Sequence, residues 1–222
     1  MQQAAPRTVI LAAGDFPTAP EPLAILDAAA EIVCCDSAAD ALLRYGRTPD
    51  FIVGDLDSLS KTVRESFPDR RIIHIAEQET NDLSKAFRFC RSRGCEHLTI
   101  LGATGKREDH TLGNIALLAD FAQKIPDTEM VTDHGRFSVA LRSGEFASFP
   151  GEQISLFAVD SYTEVTSTGL KYPLNDLPLE RWWQATLNEA IADRFTLTFT
   201  SDRRLLIYRA SRPYARDGHS GR

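Results

Sequence analysis

The chain has 222 residues, which is enough for one large domain or two small ones with a real hydrophobic core. Hydrophobic residues are 43% and charged residues 25% of the chain, which excludes a wholly disordered protein. A net charge of -6 argues against general nucleic-acid binding, and no apolar run reaches the roughly 20 residues that span a bilayer, so neither nucleic acid nor a membrane is an expected partner.

The N-terminus and the cysteines both bear on location. Residues Met1 to Arg7 lack the basic start and the long apolar stretch of a secretion signal. The four cysteines show no paired zinc-ligand spacing, so we interpret them as reduced thiols that pack like small apolar side chains. The sequence therefore predicts a cytoplasmic protein.

Short apolar runs alternate with helical patterns over the first 133 residues. The runs are apolar at consecutive positions, as in strands buried on both faces of a parallel sheet; they are Thr8–Ala13, Glu31–Cys35, Phe51–Val53, Arg71–Ile75, His97–Leu101 and Glu129–Thr132. Apolar residues recur between them at helical spacing, as in Leu83, Ala86, Phe87 and Cys90, and in Leu112, Ile115, Ala116 and Ala119. Residues 1–133 are predicted to form a Rossmann-like layered α/β domain with a mostly parallel sheet.

Closely spaced strand patterns follow. Several alternate polar and apolar residues between turn signals; they are Phe137–Arg142, Glu145–Phe149, Gln153–Val159, Thr163–Ser167, Phe195–Thr200 and Leu205–Arg209. A helix is suggested only around Leu179–Trp183. Trp182 and Trp183 can stack on a ligand ring, but packing inside this domain is the favoured interpretation. Residues 134–210 are thus predicted to form an antiparallel β-sandwich, and the basic residues 211–222 a frayed tail.

Two carboxylates follow the predicted strand Phe51–Val53. Asp55 and Asp57 lie two residues apart, so they can project to the same side of an extended segment. Ligands of open α/β sheets bind beyond the carboxyl ends of the strands, and paired carboxylates there suit Mg²⁺. An acidic loop that caps the next helix through Ser58 is the alternative, and this motif alone favours it.

A second polar segment, Glu79–Lys85, precedes a helical stripe. Asn81 is the expected N-cap, and Asp82 and Lys85 are three residues apart on one helix face. Asp82 is a candidate third metal ligand, and Lys85 is a candidate phosphate contact. The alternative is an acid favoured by the helix dipole and paired with a solvated lysine, which this segment alone favours.

A third segment, Gly102–Asn114, joins a predicted strand to a helix. Its small residues let the backbone approach a ligand, and the new helix offers free N–H groups to an anion. Lys106 and Arg107 add positive charge, while Asp109 and His110 can hydrogen-bond a substrate. A polar turn before a capped helix explains this segment equally well. Because all three segments follow strands of one predicted sheet, together they favour a nucleotide–metal site.

Taken together, these segments resemble the thiamine pyrophosphokinase family. The resemblance covers roughly residues 34–118, with four segments in the family's order and spacing: Cys35–Asp40, Pro49–Ser58, Thr80–Lys85 and Gly102–His110. A looser likeness continues at Ser167–Leu174 and Thr186–Glu189. The resemblance implies an α/β domain followed by a β-sandwich, and homodimers with shared active sites. It also implies Mg²⁺-dependent transfer of the pyrophosphoryl group of ATP to the hydroxyl of thiamine, giving thiamine diphosphate and AMP.

The resemblance also implies roles by position. Mg²⁺ on the ATP triphosphate would be held by Asp55, Asp57 and Asp82, and phosphate charge would be neutralised by Lys85 and Arg107. The ATP and substrate pocket would be lined by Asp36, Ser37, Thr104, Asp109 and His110, with Asn188 on the thiamine side. Catalysis is therefore expected to depend on Asp55, Asp57, Asp82, Lys85 and Asp109, and the hydroxyl proton could pass to Asp82 or to Asp109.

Some positions depart from the family's pattern, and two other functions stay open. Lys106 and Ser37 stand where the family often has Gly, and Leu187 where a Ser commonly precedes the Asn. One alternative is a nucleotide- or thiamine-binding sensor without turnover. The other is a metal-dependent glycosyltransferase, which only Asp55 and Asp57 support.

Overall fold

A computed structural model describes residues 7–211 of the chain. It divides the chain into two compact units, Met1–Asp133 and His134–Arg222. The tail predicted to fray, residues 211–222, lies outside the described residues apart from Ser211. Within the described part of the chain, no helix combines the length and the apolar character needed to cross a bilayer.

The first unit is a layered α/β structure. Its strands are β1 (Thr8–Leu11), β2 (Glu31–Cys35), β3 (Phe51–Gly54), β4 (Ile72–His74), β5 (His97–Leu101) and β6 (Asp127–Thr132). Its helices are α1 (Pro20–Asp27), α2 (Ala38–Tyr45), α3 (Lys61–Ser66), α4 (Asp82–Ser92) and α5 (Glu108–Ala122), with a short 3-10 turn at Asp69–Arg71. All pairings among these strands are parallel, in the order β6-β5-β1-β2-β3-β4. The predicted α/β unit is confirmed.

The central strands are apolar at consecutive positions because both faces of the sheet are covered. Val9, Ile10 and Leu11 of β1 are at most 1% exposed, and Cys34 and Cys35 of β2 are equally buried. Burial raises the pKa of both thiols, so these cysteines behave as core residues. Strand β1 has β5 on one side and β2 on the other, so the chain order reverses there. This reversal opens a crevice at the carboxyl ends of the strands.

The second unit consists of two antiparallel sheets. One has the order β12-β9-β14-β7, from β7 (Gly135–Ala140), β9 (Gln153–Ala158), β12 (Ala185–Glu189) and β14 (Leu205–Ala210). The other has the order β11-β10-β13-β8, from β8 (Gly144–Ala147), β10 (Glu164–Thr168), β11 (Leu177–Pro178) and β13 (Arg194–Phe199). Both contribute to one core, which includes Leu156, Val165, Leu197 and Ile207. The predicted antiparallel sandwich is confirmed.

Three details differ from the sequence-based expectations. The segment Leu179–Trp183 forms turns instead of a helix, and Trp182 and Trp183 are exposed rather than packed inside. Strands β11 and β12 were not predicted; β11 has only two residues, and in β12 Leu187 has a φ of +58° and the register shifts there, which breaks the alternation. In α5, Leu112 is exposed, and the buried stripe lies further along at Leu118, Ala119, Phe121 and Ala122, because the first turns of this helix line a cleft.

A core substitution in the second unit tests the sandwich. Phe195 is 1% exposed, its ring stacks on Phe146 at 5.3 Å between centroids, and the Arg209 guanidinium lies 5.2 Å from its centre. Phe195→Ala is expected to lower the free energy of unfolding by about 3–5 kcal/mol, because it leaves a cavity. Chemical denaturation measures the loss. The matched control Phe149→Ala, at an exposed position, is expected to change it by less than about 1 kcal/mol.

Candidate functional site

A polar cleft of about 710 Å³ lies at the carboxyl edge of the parallel sheet. Its lining comes from the end of β2 and from the segments that follow β1, β3, β4 and β5, which is where ligands bind in open α/β sheets. Residues after β1 contribute Ala13 and Gly14, and the segment before α4 contributes Gln78, Asn81 and Asp82. The loop after β5 completes the lining with Ala103, Gly105, Lys106 and Arg107, followed by His110 and Asn114 of α5. The three segments singled out in the sequence therefore meet in one place.

Three carboxylates converge beside this cleft. Asp36, Asp55 and Asp82 each place a carboxylate oxygen within 4.8 Å of the other two. Asp36 is 3% exposed; its Oδ2 accepts a hydrogen bond from the backbone N–H of Ser58 at 3.0 Å, but its buried Oδ1 has no partner among the described residues. Burial, together with the neighbouring carboxylates, raises the pKa of Asp36. We call these three residues the acidic cluster.

The local fold explains this convergence. Asp36 directly follows β2, Asp55 directly follows β3, and Asp82 begins α4. The predicted N-cap of α4 is confirmed, since the Asn81 side chain accepts a hydrogen bond from the backbone N–H of Ser84 at 3.0 Å. Gly54 keeps the centre open, because a Cβ there would lie 3.1 Å from the Cβ of Asp36 and 3.3 Å from Oδ1 of Asp82.

A buried lysine holds two members of the cluster. Lys85 is 1% exposed, and its Nζ lies 3.1 Å from Oδ1 of Asp82 and 3.6 Å from Oδ2 of Asp55. Burial disfavours the charged ammonium, but the hydrogen bond to Asp82 and the nearby Asp55 outweigh it, so the pKa of Lys85 is raised. The predicted pairing of Asp82 with Lys85 on one face of α4 is therefore present. The alternative interpretation, in which this lysine is solvated, is wrong because Lys85 is buried.

Asp57 lies apart from the acidic cluster. Its side chain is exposed, and its backbone N–H donates to Oδ1 of Asp55 at 3.3 Å. Its role as a metal ligand, which the family resemblance implies, stays a prediction. Gln78 was not singled out in the sequence, yet its Nε2 donates to Oδ2 of Asp55 at 3.2 Å. Only its place just before the Thr80–Lys85 segment could have indicated it.

Tight backbone contacts shape the opposite wall of the cleft. The backbone N–H groups of Gly14 and Asp15 donate to the carbonyls of Gly102 and Thr104 at 2.7 and 2.8 Å. A Cβ on Gly14 would lie 2.3 Å from the Thr104 carbonyl, so only glycine fits. Asn114 ties this loop to α4, accepting from Nδ2 of Asn81 at 2.9 Å and donating to the Ala103 carbonyl at 2.8 Å. The loop is thus a rigid support for a ligand.

The start of α5 carries an exposed ion pair. The Arg107 guanidinium contacts the Asp109 carboxylate at 3.1 and 2.5 Å, and both side chains are exposed. Arg107 lowers the pKa of Asp109 to about 2. His110 is exposed and lines the cleft with Arg107. Arg107 and His110 therefore lie where the sequence placed a ligand pocket.

Two other predicted residues lie elsewhere. Ser37 precedes α2 and lines a neighbouring cavity of about 230 Å³. Asn188 is buried in the second unit, where its Oδ1 accepts from the backbone N–H of Tyr172 at 3.1 Å and its Nδ2 donates to the Tyr172 carbonyl at 2.7 Å. These bonds give Asn188 a role in holding the local backbone, and its placement on the thiamine side stays a prediction.

Asp36→Asn tests the electrostatics of the acidic cluster. Removing one of three close charges is expected to stabilise the metal-free protein by about 1 kcal/mol, since the parent leaves a buried carboxylate oxygen unsatisfied. Added Mg²⁺ is expected to stabilise the parent more than the variant. Thermal melts in EDTA and in MgCl₂ measure both effects. The control Asp69→Asn, at an exposed acid outside the cleft, is expected to melt at the parent's temperature in both buffers. If D36N were less stable than the parent in EDTA, repulsion within the acidic cluster would not be the dominant effect.

Comparisons with known proteins agree on one family. The family model described as thiamin pyrophosphokinase, catalytic domain, matches residues 23–130, and the one described as its substrate-binding domain matches residues 135–208. The chain is 26% identical to thiamin pyrophosphokinase 1 of Caenorhabditis elegans over 163 residues, which are 67% of this chain and 66% of that relative. It is 27% identical to thiamine pyrophosphokinase of Bacillus subtilis over 180 residues, which are 78% of this chain and 84% of that relative.

Solved structures agree in fold and family. The crystal structure of thiamine pyrophosphokinase from Bacillus subtilis aligns with 91% of this chain and 98% of its own, at a TM-score of 0.74 and 26% identity. That of thiamin pyrophosphokinase from Geobacillus thermodenitrificans aligns with 93% of this chain and 98% of its own, at a TM-score of 0.75 and 27% identity. With family models matching both of its units, the chain belongs to the thiamin pyrophosphokinase family, which is a family of enzymes.

Proposed function

We propose that this protein transfers the pyrophosphoryl group of ATP to the hydroxyl of thiamine, releasing AMP and thiamine diphosphate. The observation that carries the proposal is the acidic cluster beside a polar cleft at the carboxyl edge of the sheet, in a chain of this family. The named relatives from Caenorhabditis elegans and Bacillus subtilis support the same substrate. Neither the family models nor these relatives favour the glycosyltransferase or the sensor.

The acidic cluster fits a magnesium ion. Its donors are hard carboxylate oxygens, and Oδ1 of Asp36 is buried without a partner in the described part of the chain. Both the sequence pattern and the geometry point to Asp55 and Asp82 as magnesium ligands. The third ligand is Asp57 if the family resemblance is followed, or Asp36 if the distances between carboxylates are followed. When bound, Mg²⁺ would polarise the phosphate oxygens of ATP and offset their charge.

In this proposal, the residues of the chain align the thiamine hydroxyl with the phosphorus that it attacks. Phosphoryl transfer needs the attacking oxygen in line with phosphorus and charge stabilisation on the phosphate oxygens, with no covalent enzyme intermediate. Arg107 and the start of α5 are the proposed phosphate contacts, because Arg107 and His110 line the cleft at this helix N-terminus. Lys85 is better described as a positioning residue, since its ammonium is already bonded to the acidic cluster.

The two candidates for the proton acceptor differ in environment. Asp109 is exposed and paired with Arg107, which holds its pKa at about 2 and makes it a weak base at neutral pH. Asp82 lines the cleft as a member of the acidic cluster, and its Oδ1 accepts a hydrogen bond from the Lys85 ammonium at 3.1 Å. Because both carboxylates are paired with a cation, pairing does not distinguish them; we propose Asp82 as the acceptor of the thiamine hydroxyl proton because it lines the cleft, and Asp109 as a positioning residue that acts through Arg107.

An end-point assay tests the reaction class. Purified protein with ATP, MgCl₂ and thiamine is expected to give equimolar AMP and thiamine diphosphate, and EDTA is expected to abolish both products. Chromatography separates the nucleotides from the thiamine species. ADP with thiamine monophosphate would overturn the proposed transfer of two phosphates. Ligand binding without turnover would instead support the sensor.

Substitutions in the acidic cluster test the proposed ligands. Asp55→Asn and Asp82→Asn are each expected to lower kcat by about 10²–10³-fold, the usual cost of one preorganised electrostatic contact. Steady-state kinetics measure the loss, with Asp69→Asn as the control outside the cleft. Comparing Asp36→Asn with Asp57→Asn identifies the third ligand, which is the one with the larger loss. Parent-like turnover in D55N and D82N would show that the site lies elsewhere.

A homodimer with shared active sites, and a cytoplasmic location, belong to the same proposal. The second unit exposes large apolar side chains that a partner subunit could cover: Tyr172 at 54%, Trp183 at 68%, Leu187 at 75% and Ile191 at 58%. The location is supported by the cysteines, all four of which are unpaired.

Leu187→Asp tests the dimer. Asp tolerates the left-handed backbone at this position, so the fold should persist while the charge disrupts an apolar interface. Light scattering is expected to give about twice the 24.6 kDa chain mass for the parent and the single chain mass for L187D. Ser201→Asp is the control, since it adds the same charge at an exposed turn position of the second unit without removing an apolar side chain. A parent that is monomeric would contradict the dimer.

A further inference from the structure

The cations that line the cleft are not equally available to an anion. Three lysine and arginine side chains line it in the described part of the chain: Lys85, Lys106 and Arg107. Lys85 is buried and bonded to the acidic cluster, and Arg107 is paired with Asp109. The Nζ of Lys106 instead donates to the Ala13 carbonyl at 2.7 Å and has no carboxylate partner among the described residues. Of these three cations, Lys106 is therefore the one that forms no ion pair within the described part of the chain, with the Asp15 carboxylate lying beside the preceding Gly105.

Its position is that of a ligand contact. Lys106 belongs to the loop after β5, and Ala13 to the loop after the neighbouring strand β1, so the side chain spans the point where the strand order reverses. The same residue lines both the main cleft and the adjacent cavity of about 230 Å³. An ammonium shared by the cleft and this second cavity, at this point of an α/β sheet, suits an elongated anion.

The backbone at Lys106 provides an independent argument. Its φ is +58°, in the left-handed region that favours glycine, and it follows Gly105 at +80°. The side chain is exposed, so it gains little from burial to offset this cost. Binding of an anion by the Lys106 ammonium would offset the cost of this backbone conformation and so explain a lysine at this position.

We propose that Lys106 contacts a phosphate of the bound nucleotide and sets nucleotide affinity in this chain. Its ammonium exchanges a neutral carbonyl partner for an anionic oxygen, which makes a charge-assisted hydrogen bond of greater strength. The inference deepens the proposed function and rests on it.

Lys106→Gly separates binding from folding. Because glycine suits the left-handed backbone, the melting temperature is expected to equal or exceed that of the parent. The Kd for a non-hydrolysable ATP analogue with Mg²⁺, measured by calorimetry, is expected to rise about tenfold. In turnover, KM for ATP is expected to rise with it while kcat changes less. Lys106→Met should weaken binding similarly, and Lys106→Arg should stay within about threefold of the parent.

Lys124→Met is the matched control. Lys124 is exposed just beyond the end of α5 opposite the cleft, and its loss changes the net charge by the same amount. Its Kd is expected to equal the parent's. Parent-like affinity in K106G and K106M, alongside a parent that binds and turns over, would overturn this inference alone. A large drop in the melting temperature of K106G would also overturn it, by showing a structural role. A parent that neither binds nor turns over ATP would overturn the proposed function.

Discussion

Three carboxylates within 4.8 Å of one another repel, so the first unit needs features that offset this repulsion and hold the carboxylates in place. The buried ammonium of Lys85 offsets part of the repulsion through Asp82 and Asp55. Gly54 leaves the space in which the carboxylates approach. Asp36 remains the strained member, with a φ of +39°, an unpartnered Oδ1 and a raised pKa. An arrangement that costs stability in the absence of a cation is typical of a functional site.

The sheet supplies the frame for this cluster. Parallel strands deliver their carboxyl ends to one edge, so residues that are far apart in sequence come together without long loops. Asp36, Asp55 and the loop at Gly102 each follow a strand directly. The hydrogen bonds of Asn114 and the close contact at Gly14 then hold the opposite wall. The apolar strands thus fix where the polar residues can act.

The positively charged side chains of the cleft have different partners. Lys85 serves the carboxylates, and Arg107 is restrained by Asp109, whose own carboxylate is thereby made a weak base. To bind the proposed ATP, an acidic protein with a net charge of -6 would need positive charge gathered at the site. The helix N-terminus of α5 and the few cations at the cleft are suited to that need. This division separates the buried lysine that contacts the acidic cluster from the exposed cations that line the cleft.

The sequence by itself predicted the strands of the first unit, most strands of the second, the helices α4 and α5, and the family. Buried parallel strands show as consecutive apolar runs, and βα turns show as polar segments after them, so the pattern predicted the α/β unit, the N-cap Asn81 and the cleft-lining segments. It missed β12, because a left-handed Leu187 breaks the alternation. Only the tertiary structure decided that Asp36 joins Asp55 and Asp82 while Asp57 is exposed, and that Lys85 is buried. The distances between carboxylates and the pairing of charges depend on how separate strands pack. The spacing of residues along the sequence does not specify that packing.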